Sequence, residues 1–427
     1  MPVQTLAELI RFVRRNSAFY AELYSGLPER VTELTALPVI PQTEFWQANS
    51  PRGNTLLTGP LEEAVVFKSG GTTGAPKFSF YTREEWREFT TAFGAGLAAA
   101  GLRPGQRVAD LFYAGDLYAS HTFILDSLHR SPVANVRLPI GGSAPLASTV
   151  ATLEQFGVDV IAGTPTTLCS VAEHLRSEGR QLTGVTTLFF GGESVFSDQQ
   201  RLLAAAFPRA GVASIGYAAV DAGLVGLPVP GDDPRLHRAP APYTVVEILD
   251  EVTGEPVNRD GVPGRVVVTD LRRRLMPVLR YPVGDRAEWT DVASGEFRIL
   301  GRAEEGVRVG PVALHTQDVH DLVSAADVAG RVTGVQLVVR RFEDGDGQDR
   351  DGLVLRLGCD MASGAGDLPE LGAAIEKAFH AARPMYAEAV AARHVHPVEL
   401  EWVRHADLAV NARSGKLIRV LDERPHA

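Results

Sequence analysis

A short stretch rich in glycine and hydroxyl side chains has the composition of an anion-binding loop. It follows the apolar run 64–67 and ends in a single lysine. Glycines let backbone N–H groups approach a phosphate, hydroxyls add donors, and the lysine adds positive charge. A polar hairpin loop would explain the glycines but not the three hydroxyls and the lysine. The sequence therefore predicts phosphate binding by Ser69, Gly70, Gly71, Thr72, Thr73, Gly74 and Lys77.

This loop differs from the two common nucleotide-binding fingerprints. A P-loop has Ser or Thr directly after its lysine and continues into a helix, whereas Lys77 is followed by the strand-like residues 78–81. The loop also lacks the Gly-x-Gly-x-x-Gly spacing of dinucleotide-binding folds. We therefore expect phosphate recognition of a different kind.

The composition is that of an ordinary folded protein. With 427 residues and 45% hydrophobic content, the chain is long enough for about two or three domains with packed cores. A net charge of −10 argues against binding to nucleic acid or to an anionic membrane surface. Two cysteines are too few for a disulfide scaffold. Because the N-terminus lacks a signal-peptide pattern and no apolar run has membrane-spanning length, we expect a cytoplasmic protein.

Three patterns of secondary structure follow one another. Short apolar runs alternate with helical patterns over 82–215, strands and turns dominate 243–300, and an α-β-β-α-β order follows over 316–403. The predicted fold class is α/β, with layered α/β sheets plus a β-subdomain in a large N-terminal domain and a small C-terminal α+β domain. The predicted domains are 1–303 and 304–427. Individual elements include strands at 107–112, 158–162 and 188–190 and helices at 148–156, 165–177 and 368–382.

Five later segments carry further candidate binding residues. Glycines 191 and 192 follow a predicted strand, where backbone can approach a flat ligand, although a tight strand-to-helix turn would also need them. Asp285 follows Gly284, and its carboxylate could accept from two hydroxyls or form an Asx turn. The remaining segments are 216–221, Gly301-Arg302 and Ser414-Gly415-Lys416. Taken in their order along the chain, and together with the first loop, the segments resemble the motifs of the adenylate-forming superfamily, whose members join ATP to a carboxylic acid.

The resemblance implies a role for each segment. It implies that Lys77 and Lys416 are catalytic, that Asp285 grips the ribose, and that the C-terminal domain is a mobile lid that rotates about Glu304. It implies that Asp221 helps to hold Mg²⁺, although the family has glutamate there. The further nucleotide-binding residues that it implies are Gly192, Glu193, Tyr217, Ala218 and Arg302.

The segments 16–20, 37–41 and 164–167 resemble the phenylacetate–CoA ligase-like branch of this superfamily. In that branch the acid lies beside the segment 111–118 and the two later loops. Aromatic side chains there suit a flat ring, so an aromatic or heteroaromatic acid is expected. Asp116 would either favour a substrate with an amino or hydroxyl group or simply face solvent. The expected acid-binding residues are Phe112, Tyr113, Asp116, Tyr118, Gly191 and Tyr217.

The expected activity is ATP-dependent formation of an acyl-adenylate, followed by transfer of the acyl group to a thiol, with coenzyme A as the expected acceptor. The alternatives are transfer to a carrier protein or an amine, and a nucleotide-binding protein without catalytic activity. The expected ligands are ATP, AMP, Mg²⁺ and coenzyme A. The expected partners are a small carboxylic acid and, in the first alternative, an acyl carrier protein. The sequence does not decide between a monomer and a homodimer.

Overall fold

A computed structural model describes residues 5–69, 77–231, 233–302, 306–343, 349–359 and 368–424. Its N-terminal helices are amphipathic and begin at clear caps. The side chains of Thr5 and Thr82 each accept from the backbone three residues later, and a glutamate at that position binds back to the cap. The capping box predicted at Thr82 is thereby confirmed. The elements of this part are α1 Leu6–Asn16, α2 Ala18–Leu23, α3 Gln42–Ala48, β1 Ala64–Ser69, β2 Lys77–Thr82 and α4 Arg83–Ala99.

A five-stranded parallel sheet with flanking helices follows. Its strand order is β4-β3-β5-β6-β7, and its carboxyl ends lie on one edge. The alternation predicted for 82–215 is confirmed, because parallel neighbours need helical crossovers. The elements are β3 Arg107–Asp110, α5 Ser120–Arg130, β4 Val136–Pro139, α6 Leu146–Gln155, β5 Val160–Gly163, α7 Pro165–Ser177, β6 Thr187–Phe190, α8 Ser197–Ala206 and β7 Gly211–Ser214.

The strand predicted over 107–112 ends two residues early. The carboxylate of Asp110 accepts a hydrogen bond from the backbone amide of Phe112 at 2.9 Å. This local turn directs the chain away from the sheet after Asp110. As a result, Phe112 and Tyr113 lie in a loop at the carboxyl edge, where ligands bind in open α/β sheets.

A seven-stranded antiparallel sheet forms the next region, in the order β11-β12-β13-β14-β10-β9-β8. Its long strand β13 carries both Tyr281 and Asp285. Buried and exposed residues alternate along these strands, so one face of the sheet packs on a core that also contains residues of α1 to α3. The strands are β8 Tyr217–Ala219, β9 Gly223–Pro228, β10 Leu236–Arg238, β11 Thr244–Leu249, β12 Pro263–Asp270, β13 Val278–Asp291 and β14 Glu296–Arg302.

The C-terminal region has a hydrophobic cluster of its own, drawn from residues 307–420. Its main sheet has the order β19-β18-β17-β20, and a separate β15–β16 hairpin precedes it. The helix predicted over 368–382 is confirmed. The elements are β15 Gly306–Val309, β16 Val312–His315, α9 Thr316–Ala326, β17 Val332–Glu343, β18 Asp349–Cys359, α10 Leu368–Ala382, α11 Pro384–Ala391, β19 Glu399–Arg404 and β20 Val420–Asp422.

Among the helices of the described ranges, none is long and apolar enough to cross a bilayer. The chain's two cysteines, Cys169 and Cys359, are both buried as free thiols.

One buried carboxylate should make stability depend on pH. Burial raises the pKa of Asp198, in the first turn of α8, from 3.8 to about 6. The folded state therefore binds more protons than the unfolded state between these values, and Asp198 lowers stability as pH rises through that window. We expect Asp198→Asn to raise the free energy of unfolding at pH 8 by roughly 1–3 kcal/mol. At pH 5 the gain should be about half as large.

Thermal unfolding of both proteins at pH 5 and pH 8 checks this expectation. An equal shift of Tm at the two pH values would show that the substitution acts through packing and not through ionisation.

Candidate active site

The turn after β6 provides the floor of the site. An ideal Cβ on Gly191 would lie 2.5 Å from the side chain of Ile215, so any larger residue would force that side chain to move. Gly192 has a φ of +79°, in the left-handed region that glycine adopts readily. Ile215 is two residues before Tyr217, so this packing joins the ends of β6 and β7. The glycines predicted as a ligand turn are therefore required by close packing at the carboxyl edge.

Lys416 reaches this turn from the opposite end of the chain. An ideal Cβ on Gly192 would lie 3.0 Å from Cε and 3.1 Å from Nζ of Lys416. The lysine sits at the end of a tight turn in which the side chain of Asn411 accepts from the amides of Arg413 and Ser414, each at 3.1 Å. We call residues 411–417 the lysine loop. The structure thus brings together two motifs that are more than half the chain apart.

The lysine loop also docks on the aromatic segment that follows β3. Gly415 has a φ of +64° and lies so close to the ring of Tyr113 that an added Cβ would overlap it. The same ring packs on Gly142. The guanidinium of Arg413 lies 5.4 Å from the ring centre of Tyr118 and donates to the carbonyl of Lys68 at 3.2 Å. Tyr113 and Tyr118 are therefore both in contact with the lysine loop.

Two Tyr-x-x-x-Asp segments, 217–221 and 281–285, meet in the antiparallel sheet, and the tyrosine of each binds the aspartate of the other. The hydroxyl of Tyr217 donates to Asp285, and that of Tyr281 donates to Asp221 at 2.8 Å. Burial, reinforced by the neighbouring carboxylate, raises the pKa of both tyrosines, so both hydroxyls keep their protons. The guanidinium of Arg302 lies 3.4 Å from the other oxygen of Asp285. Three predicted nucleotide-binding residues, Tyr217, Asp285 and Arg302, are thus in one cluster.

Lys77 lies beside the same cluster. Its ammonium is 5.4 Å from the ring centre of Trp46, and that ring packs edge-on against Tyr281. Ser69 and Lys77 end β1 and begin β2, where they are paired in the ladder. The two strands therefore hold the ends of the predicted phosphate loop together. The predicted residues Gly70, Gly71, Thr72, Thr73 and Gly74 lie outside the described residues.

Known proteins match both the sequence and the fold. The family described as AMP-binding enzyme matches residues 134–271. The phenylacetate–coenzyme A ligase of Thermus thermophilus is 27% identical over 74% of this chain and 69% of its own, and that of Pseudomonas putida is 25% identical over 71% of each. The family match and these relatives support the predicted resemblance to the adenylate-forming superfamily and to its phenylacetate–CoA ligase-like branch.

Two solved structures share this fold, one of them over nearly the whole chain. A 2-hydroxyisobutyryl-CoA ligase in the postadenylation state, in complex with 2-HIB-AMP, has a TM-score of 0.79 at 19% identity and covers 98% of this chain and 88% of its own. ATP-bound MatB from Rhodopseudomonas palustris has a TM-score of 0.55 at 16% identity over 82% of this chain and 65% of its own. The predicted α/β fold class is confirmed.

The structure gives two of the predicted site residues unexpected partners. Both carboxylate oxygens of Asp116 lie 2.5 Å from the ammonium of Lys68, and the Asp116 side chain is 61% exposed. The carboxylate of Glu193 binds Thr166 and the backbone of Leu417. Phe112 is buried, and the tip of its ring would lie 3.7 Å from a Cβ on Gly191. Ala218 pairs with β9 beside Tyr217, and Glu304 lies outside the described residues.

Sequence reasoning missed several residues that support the site. Trp46 was not singled out, because an aromatic residue in an apolar run is usually core. Tyr281 was recognised only as part of the segment 280–285 and was given no role of its own. His121 lies 3.2 Å from the fully buried carboxylate of Asp110, and its backbone amide donates to the carbonyl of Tyr113 at 3.0 Å. Its interaction with Asp110 raises the pKa of His121. The only sequence signal for this pair was the position of Asp110 at the end of a predicted strand.

Proposed function

We propose that this adenylate-forming enzyme activates a carboxylic acid with ATP and transfers the acyl group to coenzyme A. The observation that carries the proposal is the placement of the Lys416 ammonium on the Gly192 turn, which is joined through Ile215 to the Tyr217–Asp285 cluster. The similarity to two phenylacetate–coenzyme A ligases supports an acid and coenzyme A as substrates.

In the first half-reaction an oxygen of the acid attacks the α-phosphorus of ATP. A new P–O bond forms, the bond to the bridging oxygen breaks, and pyrophosphate leaves with the electron pair. Both reactants are anionic, so an ammonium close to both lowers their repulsion. We assign this role to Lys416 and assign contact with the phosphates to Lys77. Asp285 would hold the ribose hydroxyls, and Tyr217 and Arg302 would orient Asp285. Positioning then supplies much of the rate.

In the second half-reaction the thiol sulfur of coenzyme A attacks the acyl carbonyl carbon, and AMP leaves. No carboxylate approaches a triphosphate in this step, so the ammonium of Lys416 has no charge repulsion to cancel. We propose that residues 304–427 act as a lid that turns about Glu304 and withdraws the lysine loop. Such lid motions commonly separate the steps of an enzyme cycle.

Asp221 is the residue that we propose for Mg²⁺. Among the described residues no three acidic, histidine or cysteine side chains cluster as a metal site. A single carboxylate fits Mg²⁺, because this ion usually takes one or two protein carboxylates together with substrate phosphates. The proton that Tyr281 keeps would orient Asp221. When bound, the ion would neutralise charge on the phosphate oxygens.

We propose an aromatic acid as the substrate class. The ring of Phe112 beside Gly191 and the rings of Tyr113 and Tyr118 on the same segment support this choice. ATP–pyrophosphate exchange across a panel of aromatic, heteroaromatic and aliphatic acids tests it without presuming the acceptor. Exchange with aromatic acids, and thioester formation only after coenzyme A is added, are the expected results. Exchange without thioester formation would favour a carrier protein or an amine as acceptor.

Asp116 gives a prediction about selectivity within this panel. If it reads an amino or hydroxyl substituent, Asp116→Asn should shift the preferred acid toward rings without such groups. Lys68→Met is the matched control, because it breaks the same ion pair and keeps the carboxylate. If both variants leave the ranking of acids unchanged, Asp116 does not read the substrate and only fastens its loop to β1.

A further inference from the structure

The lysine loop is fastened to the rest of the protein directly beside Lys416. The backbone amide of Leu417 donates to the Oε1 of Glu193 at 2.9 Å and to the hydroxyl of Thr166 at 3.2 Å. Glu193 follows the Gly192 turn, and Thr166 lies in the first turn of α7. The donating N–H therefore belongs to the peptide unit that joins Lys416 to Leu417. We call Glu193 and Thr166 the latch.

The latch is already assembled on its own side of the contact. The other oxygen of Glu193 accepts from the hydroxyl of Thr166 at 2.8 Å and from its backbone amide at 3.2 Å. That amide is at the N-terminal end of α7, where a carboxylate is favoured by the helix dipole. Thr164 caps the same end, accepting from the amide of Thr167 at 3.2 Å. Two backbone groups of the lysine loop join this network: the amide of Leu417, and the carbonyl of Gly415, which accepts from the hydroxyl of Thr164 at 3.5 Å.

We propose that Glu193, with Thr166, is a positioning residue that holds Leu417 and thereby places Lys416 for acid activation. This inference rests on the proposed function. A lysine side chain has four rotatable bonds and reaches many positions unless its backbone is fixed. Fixing the next peptide unit confines the ammonium to the Gly192 turn, and small misplacements of reacting groups reduce rates strongly. Releasing the same bond would free the lysine loop for the second half-reaction.

A second contact holds the same two regions together independently of the latch. The ring of His320 stacks on Phe196 with centres 4.0 Å apart, and the guanidinium of Arg419 lies 4.5 Å from the same phenyl ring. Burial lowers the pKa of His320 to about 3, so this ring is neutral at ordinary pH. Because this stack contains neither Glu193 nor Thr166, a latch variant should lose the position of Lys416 and keep its fold.

The half-reactions are measured separately in latch variants. Thr166→Val removes the hydroxyl at almost constant volume, Glu193→Gln leaves one acceptor oxygen for three donors, and Thr166→Ser retains the hydroxyl. Glu154→Gln is the control, since it removes an exposed carboxylate on α6 that pairs with Arg180. We expect the first two variants to lower the kcat of ATP–pyrophosphate exchange roughly 10- to 100-fold, the effect of losing a hydrogen bond to a charged group. Thiolysis of supplied acyl-adenylate should fall much less, and Thr166→Ser should restore exchange.

A distance measurement tests the latch without any chemistry. Val252 and Val328 are 94% and 90% exposed, on opposite sides of the contact, and the two native cysteines are buried. Fluorophores on Val252→Cys and Val328→Cys report the separation of the two regions. We expect Glu193→Gln and Thr166→Val, but not Glu154→Gln, to broaden the distribution of this distance.

The two readouts separate the possible failures. Equal losses in both half-reactions, or an unchanged distance distribution, would overturn the positioning role of the latch while leaving the proposed function in place. If no acid supports exchange by the unsubstituted protein, the proposed function fails. The distance distribution alone then decides whether the latch holds the lysine loop.

Discussion

Lys416→Ala should reduce ATP–pyrophosphate exchange by roughly 10²–10³-fold, the usual scale for losing one preorganised charge at a reacting centre. The ammonium lies at the Gly192 turn, where it can offset the repulsion between the acid and the triphosphate. Its removal leaves the loop backbone held by Glu193 and Thr166. Thiolysis of supplied acyl-adenylate should therefore stay nearly intact in the same variant.

Lys377→Ala is the matched control for this prediction. Lys377 is exposed on α10 in the same C-terminal region, so its removal changes net charge equally. Exchange and thiolysis should both be unchanged in that variant. Equal losses of the two half-reactions in Lys416→Ala would show that the lysine supports the structure and does not serve one step.

Asp285→Ala should weaken ATP and AMP binding together, by roughly 10- to 100-fold in Kd, because each charged hydrogen bond to a ribose hydroxyl contributes about 1.5–3 kcal/mol. An ionised carboxylate offers about four acceptor positions, so it can bind hydroxyls while Tyr217 and Arg302 orient it. Pyrophosphate binding should change little. Calorimetric titration with AMP and with pyrophosphate measures both effects.

Tyr217→Phe separates binding from support in this cluster. It removes the hydroxyl that orients Asp285 and keeps the carboxylate, so the loss of AMP affinity should be smaller than in Asp285→Ala. Thermal unfolding of both variants is measured alongside. A lowered Tm with unchanged AMP affinity in Asp285→Ala would show that Asp285 is only a structural turn residue.

Local patterns were sufficient to predict much of the fold. The capping box at Thr82 and the helix over 165–177 depend on hydrogen bonds and side-chain spacing within a few residues, and both occur as predicted. The glycines of the Gly191 turn were recognisable for the same reason, because a strand that ends in paired glycines needs a tight turn. Even so, the end of β3 at Asp110 was missed, since the carboxylate of Asp110 competes there with strand propensity.

The sequence by itself determined which residue types are available for chemistry and the order in which they occur, because motifs and periodicity are local properties of the chain. Only the tertiary structure decided their partners. Glu193 binds a backbone amide 224 positions away, Tyr217 donates to Asp285, and Asp116 pairs with Lys68. No local pattern encodes such pairs, because each forms only after folding brings distant segments of the chain together.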